Sequence, residues 1–203
     1  MRAAAIRCPR VVKLPVNPTE HMHRRLYAMA AKRAAVLVWG DDGLNEIASA
    51  LPDDTREEFF RIGHTDPWIA ARHMIRWMYA AHHGPARLHL PKTREYIDRV
   101  FDCGSGVILR SLLHMADPAA LTARVPELWK KDNTHGELEA TLDPGGKSAS
   151  FRLSGTAYSD TPHTRGGMAE NYRYAYSLTR AKNVTETHGL ERPGTLVFRI
   201  RWR

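Results

Sequence analysis

The stretch Glu137-Leu138-Glu139-Ala140-Thr141-Leu142-Asp143-Pro144-Gly145-Gly146-Lys147-Ser148-Ala149-Ser150-Phe151-Arg152-Leu153-Ser154 decides the fold. Leu138, Ala140 and Leu142 alternate with Glu137, Glu139 and Thr141, and Ala149, Phe151 and Leu153 alternate with Ser150, Arg152 and Ser154. A period of two on both sides of Asp-Pro-Gly-Gly predicts a β-hairpin with one buried and one wet face. The chain end repeats the pattern, with Leu196, Phe198, Ile200 and Trp202 on one side and Val197, Arg199, Arg201 and Arg203 on the other. Between these segments a helix is expected from about Gly167 to Arg180, carrying Met168, Tyr172, Ala175, Tyr176 and Thr179 on one face. A weaker strand is expected over 183–188, then a turn at Pro193-Gly194.

Upstream of residue 135 the apolar period is that of a helix. Thr19 reads as an N-cap ahead of Met22, Leu26 and Met29, and Gly40-Asp41-Asp42-Gly43 reads as a break. Short helices follow over 44–51 and 53–62, the second with its acids in the first turn, where the helix dipole favours them. Asp66-Pro67 and Asp117-Pro118 have the form of an N-cap followed by proline at the first helical position. From Thr93 a long stripe of Ile97, Val100, Phe101, Ile108, Leu112 and Met115 runs through Gly104-Ser105-Gly106, which either kink it or let another backbone approach. Pro126 is expected to separate the helix after Asp117 from a turn holding Leu128 and Trp129. Helices followed by strands define an α+β chain: N-terminal helices packed on one face of a C-terminal four-stranded antiparallel sheet, in the order β-β-α-β-β. Residues 1–18, with Pro9, Pro15 and Pro18, read as an extended basic arm. Residues 19–203 read as one domain, helical over 19–135 and sheet-containing over 136–203.

The chain has 203 residues and a formal net charge of +8, enough length for a core that needs no staples. The charge is unevenly distributed. Residues 1–33 hold eight basic side chains against Glu20 alone, whereas residues 41–66 hold eight acids against Arg56 and Arg61. A basic arm beside an acidic stretch suits nucleic acid, a docking contact within the chain or a second copy of it. Arg2, Arg7, Arg10, Lys13, Arg24 and Arg25 are the candidate contacts to such a partner. No stretch approaches the roughly 18 consecutive apolar residues of a membrane span. No secretory h-region is present, so no membrane insertion and a cytoplasmic setting are expected. Cys8 and Cys103, with no C-x-x-C, leave neither a disulfide framework nor a thiolate zinc site.

Several segments carry a resemblance. Pro126-Glu127-Leu128-Trp129, Thr134-His135-Gly136-Glu137-Leu138, Ala169-Glu170, Val184-Thr185-Glu186-Thr187-His188, Gly194-Thr195-Leu196 and Arg201-Trp202 resemble a myxobacterial paralogous protein family. That family has no established reaction, so the resemblance implies a one-domain chain and no catalytic residues. The C-terminal order also resembles, more distantly, haem-based nitric-oxide-binding sensor domains and vinyl-reductase-like ligand-binding domains. In the haem sensors a histidine on the helix before the sheet ligates iron, a proline-containing connector follows, and a Tyr-x-Ser-x-Arg motif holds the propionates. The resemblance implies His114 as haem ligand, followed here by Asp117-Pro118 and Pro126. The propionate motif is not matched: Tyr158-Ser159 precedes Arg165 at another spacing, and Tyr176-Ser177-Leu178-Thr179-Arg180 also departs from it.

Taken on their own terms, the residues point to binding rather than catalysis. At 100° per residue His114 falls on the flank of the Ile108 stripe, beside Val107 and Arg110, where a histidine is ordinarily a structural or surface group. His21 and His23, like His82 and His83, do not share a face on a helix, whereas a zinc helix uses i, i+4. There is no G-x-S-x-G, and Gly104-Ser105-Gly106 lacks both the strand and the third glycine of a phosphate-cradling loop. No recognition helix or RNA-binding aromatic signature accompanies the basic arm. The expected function is therefore a non-enzymatic cytoplasmic regulatory module that binds a small ligand or a protein partner and self-associates as a homodimer. It needs no cofactor in the leading reading. The alternatives are haem sensing through His114 and nucleic-acid binding through the arm.

Overall fold

The hairpin forms as its alternation predicts. In a computed structural model, which describes residues 20–61 and 65–203, β3 (Glu137–Leu142) pairs antiparallel with β4 (Ser148–Ser154). The turn closes through Gly146 N–H to the Asp143 carbonyl at 2.8 Å, with Gly146 at φ +66°. β5 (Thr185–Arg192) and β6 (Thr195–Arg201) complete a four-stranded antiparallel sheet of order β3-β4-β6-β5. Its inner face is continuous, because Ala149 pairs with Ile200, Phe151 with Phe198 and Leu153 with Leu196, and all six side chains are buried. β5 begins and ends later than expected, its end set by Gly194 at φ +77° in the turn to β6.

Ahead of the sheet come β1 (Met22–Arg24), α1 (Arg25–Ala50), α2 (Asp53–Phe60), β2 (Trp68–Ala70), α3 (Ala71–His83), α4 (Leu90–Met115) and α5 (Pro118–Asp132). Between β4 and β5 lie a 3-10 turn (Ala157–Ser159) and α6 (Pro162–Ser177). The starts of α5 and α6 follow local chemistry. The Asp117 side chain accepts from Ala119 N–H at 2.7 Å ahead of Pro118, and Thr161 and Thr164 cap each other reciprocally around Pro162. The fold is thus α+β, with helices ahead of a C-terminal antiparallel sheet. One core joins the inner face of the sheet to Tyr176 and Ala169 of α6 and Trp129 of α5. A second core, alanine-rich on α1, surrounds Trp77 and Tyr96.

Four local expectations are corrected. Residues 22–24 are a strand, so the helix opens at Arg25 and not at Thr19; Thr19 itself lies outside the described residues. Asp66-Pro67 caps no helix, since the Asp66 carboxylate accepts from Trp68 N–H at 2.9 Å and the Pro67 carbonyl accepts from Arg25 N–H at 2.8 Å. These bonds leave 68–70 extended, paired with 22–24, and α3 starts at Ala71. The break in α1 is Gly40 alone, at φ 69° and ψ −171°. Pro126 lies inside α5, which continues because Leu121, Val125 and Trp129 fall on one buried face at i, i+4, i+8.

Candidate ligand-binding pocket

Of the two roles that the sequence left open for the glycines of α4, the kink is the one seen. Gly106 breaks the helix at φ 66° and ψ 166°, while Gly104 lies against α1 with room for a Cβ, which would sit in ordinary contact 3.4 Å from the Tyr27 ring and 3.5 Å from Ala30. An apolar cavity of about 220 Å³ lies between α3, α4, α5 and α6, lined by Ser105 and Leu109 on either side of the Gly106 break. Ile97, Val100, Phe101, Leu109 and Leu113 line it from α4, and Leu121, Val125, Leu128 and Trp129 from α5. Met168, Tyr172 and Ala175 close it from α6, and Met74 and Met78 from α3. The volume lies just under the roughly 300–1,000 Å³ of ordinary ligand clefts, and the predominantly apolar lining matches theirs.

One end of the cavity is polar. Tyr27 donates to the Asp132 carboxylate at 2.7 Å. Asn133 follows, and its side-chain oxygen accepts from both His21 Nε2–H at 3.0 Å and His23 Nδ1–H at 2.8 Å. These contacts exist because β1 is a strand, on which i and i+2 share a face. Thr134 fixes the strand from the other side, its N–H donating to the Met22 carbonyl at 3.0 Å. Burial lowers the His21 and His23 pKa values to about 4, so both rings are neutral near pH 7. Burial raises the Asp132 pKa against the opposing pull of the Tyr27 hydrogen bond, Arg24 and Lys131. The Tyr158 ring, buried edge-on to His21, His23 and Trp129, faces the same end.

The residues singled out in the sequence are placed elsewhere. His114 is exposed at the end of α4, and Leu113 rather than His114 reaches the cavity. Arg25 is buried at the start of α1. Its Nε donates to the Asp66 carbonyl at 2.7 Å, and its Nη groups donate to the Glu58 and Trp68 carbonyls and to the Glu58 carboxylate at 2.9 Å. Its guanidinium is therefore spent on structure. Arg24 lies over the Trp68 ring, 5.5 Å from its centroid. Arg2, Arg7, Arg10 and Lys13, with the whole expected arm, lie outside the described residues. Tyr158, Ser159 and Arg165 do come together despite their spacing, with Arg165 donating to the Ser159 carbonyl at 3.0 Å, but Arg165 does not line the cavity.

Sequence reasoning missed Asp132, Asn133 and Tyr27. Asp132 follows Lys130-Lys131 at a helix end and reads as solvated, and the histidine pair was judged on helical rather than strand geometry.

No protein-family model and no curated protein match the sequence. Solved structures do. The Fe(II) unliganded H-NOX protein of K. algicida superposes with a TM-score of 0.64 at 9% identity, over 89% of this chain and 96% of its own. The S. oneidensis H-NOX protein in the Fe(II)NO state gives 0.61 at 12% identity, over 89% and 99%. An oxygen-binding H-NOX domain related to soluble guanylate cyclases gives 0.56 at 13%, over 86% and 92%. The chain thus has the fold of the haem nitric-oxide/oxygen-binding domains.

That fold implies haem, which requires an axial ligand for its iron and cationic partners for its two propionates. An iron ligand would have to be His23 or His163, since these are the histidines among the described lining residues. His23 Nδ1 bonds Asn133 and His163 Nε2 lies 3.1 Å from the Thr161 hydroxyl, which leaves one ring nitrogen on each, so the misfit lies with the rest of the lining. No arginine or lysine is among those lining residues to pair with two propionates, and Asp132 adds a negative charge. As they stand, these residues do not fit haem. Among the described residues no helix is long and apolar enough to cross a membrane, and no group of three or more His, Cys, Asp or Glu is placed to hold a metal ion.

Proposed function

We propose that this chain is a small-molecule-binding, sensor-like regulatory domain whose ligand occupies the cavity between α4, α5 and α6. The observation that carries the reading is that cavity: a largely apolar chamber with Asp132 and Asn133 in its lining, in a fold shared with an oxygen-binding H-NOX domain. A cytoplasmic setting, self-association through the basic arm, and membership of the myxobacterial paralogous family belong to the same proposal. The quoted sequence segments support the family, and the proline-rich basic composition of residues 1–18 supports the arm.

Native mass spectrometry of the full chain, purified gently, tests the reading. The expected result is a bound small molecule that is lost when Ala175→Phe fills the cavity. A ligand retained in a folded Ala175→Phe chain would overturn it. Haemin titration tests the competing reading: the lining predicts no protein-induced shift of the haemin Soret band. A shift abolished by His23→Ala or His163→Ala would replace the present reading with haem sensing, and one abolished by His114→Ala would restore the ligand that the resemblance implies.

A further inference from the structure

The polar end of the cavity is chemically one-sided. Asp132 is the one acid among the described lining residues, and none of those residues is a lysine or an arginine. Among the described residues its carboxylate has one hydrogen-bond donor, the Tyr27 hydroxyl. Arg24 and Lys131 lie near enough to draw its proton affinity down, yet neither lines the cavity. Desolvation still prevails over them, as expected of a carboxylate without a close counter-ion.

Aromatic rings share the chamber with that carboxylate. Tyr27, Trp129, Tyr158 and Tyr172 all line the same chamber. Tyr172 is anchored by stacking on Phe198 at 5.0 Å, and Tyr158 by its edge contacts with Trp129 and the two histidines. The Tyr158 and Tyr172 hydroxyls have no hydrogen-bond partner among the described residues. A desolvated carboxylate within aromatic walls is the arrangement that attracts an organic cation, through the ion pair and through the negative faces of the rings. The same arrangement disfavours a carboxylate or a phosphate, which would meet Asp132 with no lysine or arginine among the described lining residues to pair with it.

We infer that the cavity selects an organic ammonium ion with an apolar tail, its head at Asp132 among Tyr27, Tyr158 and Tyr172 and its tail among the α4 and α6 side chains. This rests on the ligand-binding reading above. Three probes that share a tail and differ in the head separate the two ideas: octylamine, 1-octanol and octanoate, titrated by calorimetry into the full chain at neutral pH. The expected result is saturable octylamine binding, with octanoate at least tenfold weaker. Asp132→Asn is expected to weaken octylamine about tenfold or more and to leave 1-octanol unchanged. Octanoate bound as tightly as octylamine would overturn the ammonium assignment while leaving the pocket as a ligand site. If none of the three bound, both would fall. Should Asp132→Asn not fold, the octylamine-to-octanoate ratio on the unaltered chain decides alone.

Discussion

At the scale of single residues, position in the fold reverses what side-chain type suggests. Arg25 belongs by sequence to a basic arm, yet its guanidinium ties β2 and the end of α2 to the first turn of α1. Arg25→Ala withdraws those charged donors from a buried junction. It is expected to cost about 2–4 kcal/mol in chemical denaturation, far more than loss of an exposed arginine. The histidines show the complementary case. His21 and His23 carried no recognisable spacing, because metal and catalytic patterns are framed for helices. The pairing of 22–24 with 68–70, a contact distant in sequence, places both rings on Asn133. What a one-dimensional reading could use was period, and period is silent about such closures.

Elements were legible where local chemistry and packing agree. The hairpin, the last strand and the start of α5 follow from alternation, Asp-Pro-Gly-Gly, and Asp ahead of proline, whereas α6 opens at Pro162 behind the Thr161 cap, five residues before the expected Gly167. Asp66-Pro67 has the same signature and fails, because strand pairing claims the next three residues. Pro126 fails as a helix breaker because the buried face of α5 outweighs one missing N–H. The two long helices share a device. Gly40 and Gly106 adopt nearly the same conformation, with φ near +70° and ψ extended, which side chains other than hydrogen rarely tolerate. A Cβ at either position meets nothing within 4 Å, so the cost of substitution is purely conformational. Gly40→Ala and Gly106→Ala are each expected to destabilise by about 1–3 kcal/mol in urea melts. Gly106→Ala should also alter the cavity, because Ser105 and Leu109 on either side of the break line it, and a change in probe affinity would register this.

For the whole molecule, the buried histidines give stability a pH dependence. His21 and His23 titrate near 4 when folded and near 6.5 when unfolded, so between these values the unfolded chain binds more protons and stability falls as pH falls. Each contributes a slope of up to about 1.4 kcal/mol per pH unit. Asp98, lifted to about 7 by burial beside Glu170, opposes the trend in the same window. The expected net result is a lower melting temperature at pH 5 than at pH 7, with a smaller drop in His21→Gln. An unchanged drop in that variant would assign the trend to other groups.

The central claim is that a ligand enters the cavity and does not merely coat exposed apolar surface. The methionines distinguish these directly: Met74, Met78 and Met168 line the cavity, whereas Met29 and Met115 are exposed. In a methyl-labelled chain titrated with 1-octanol, NMR should show saturable shifts at Met74, Met78 and Met168 and none at Met29 or Met115. Shifts at Met29 and Met115 with the cavity methionines unmoved would contradict the account.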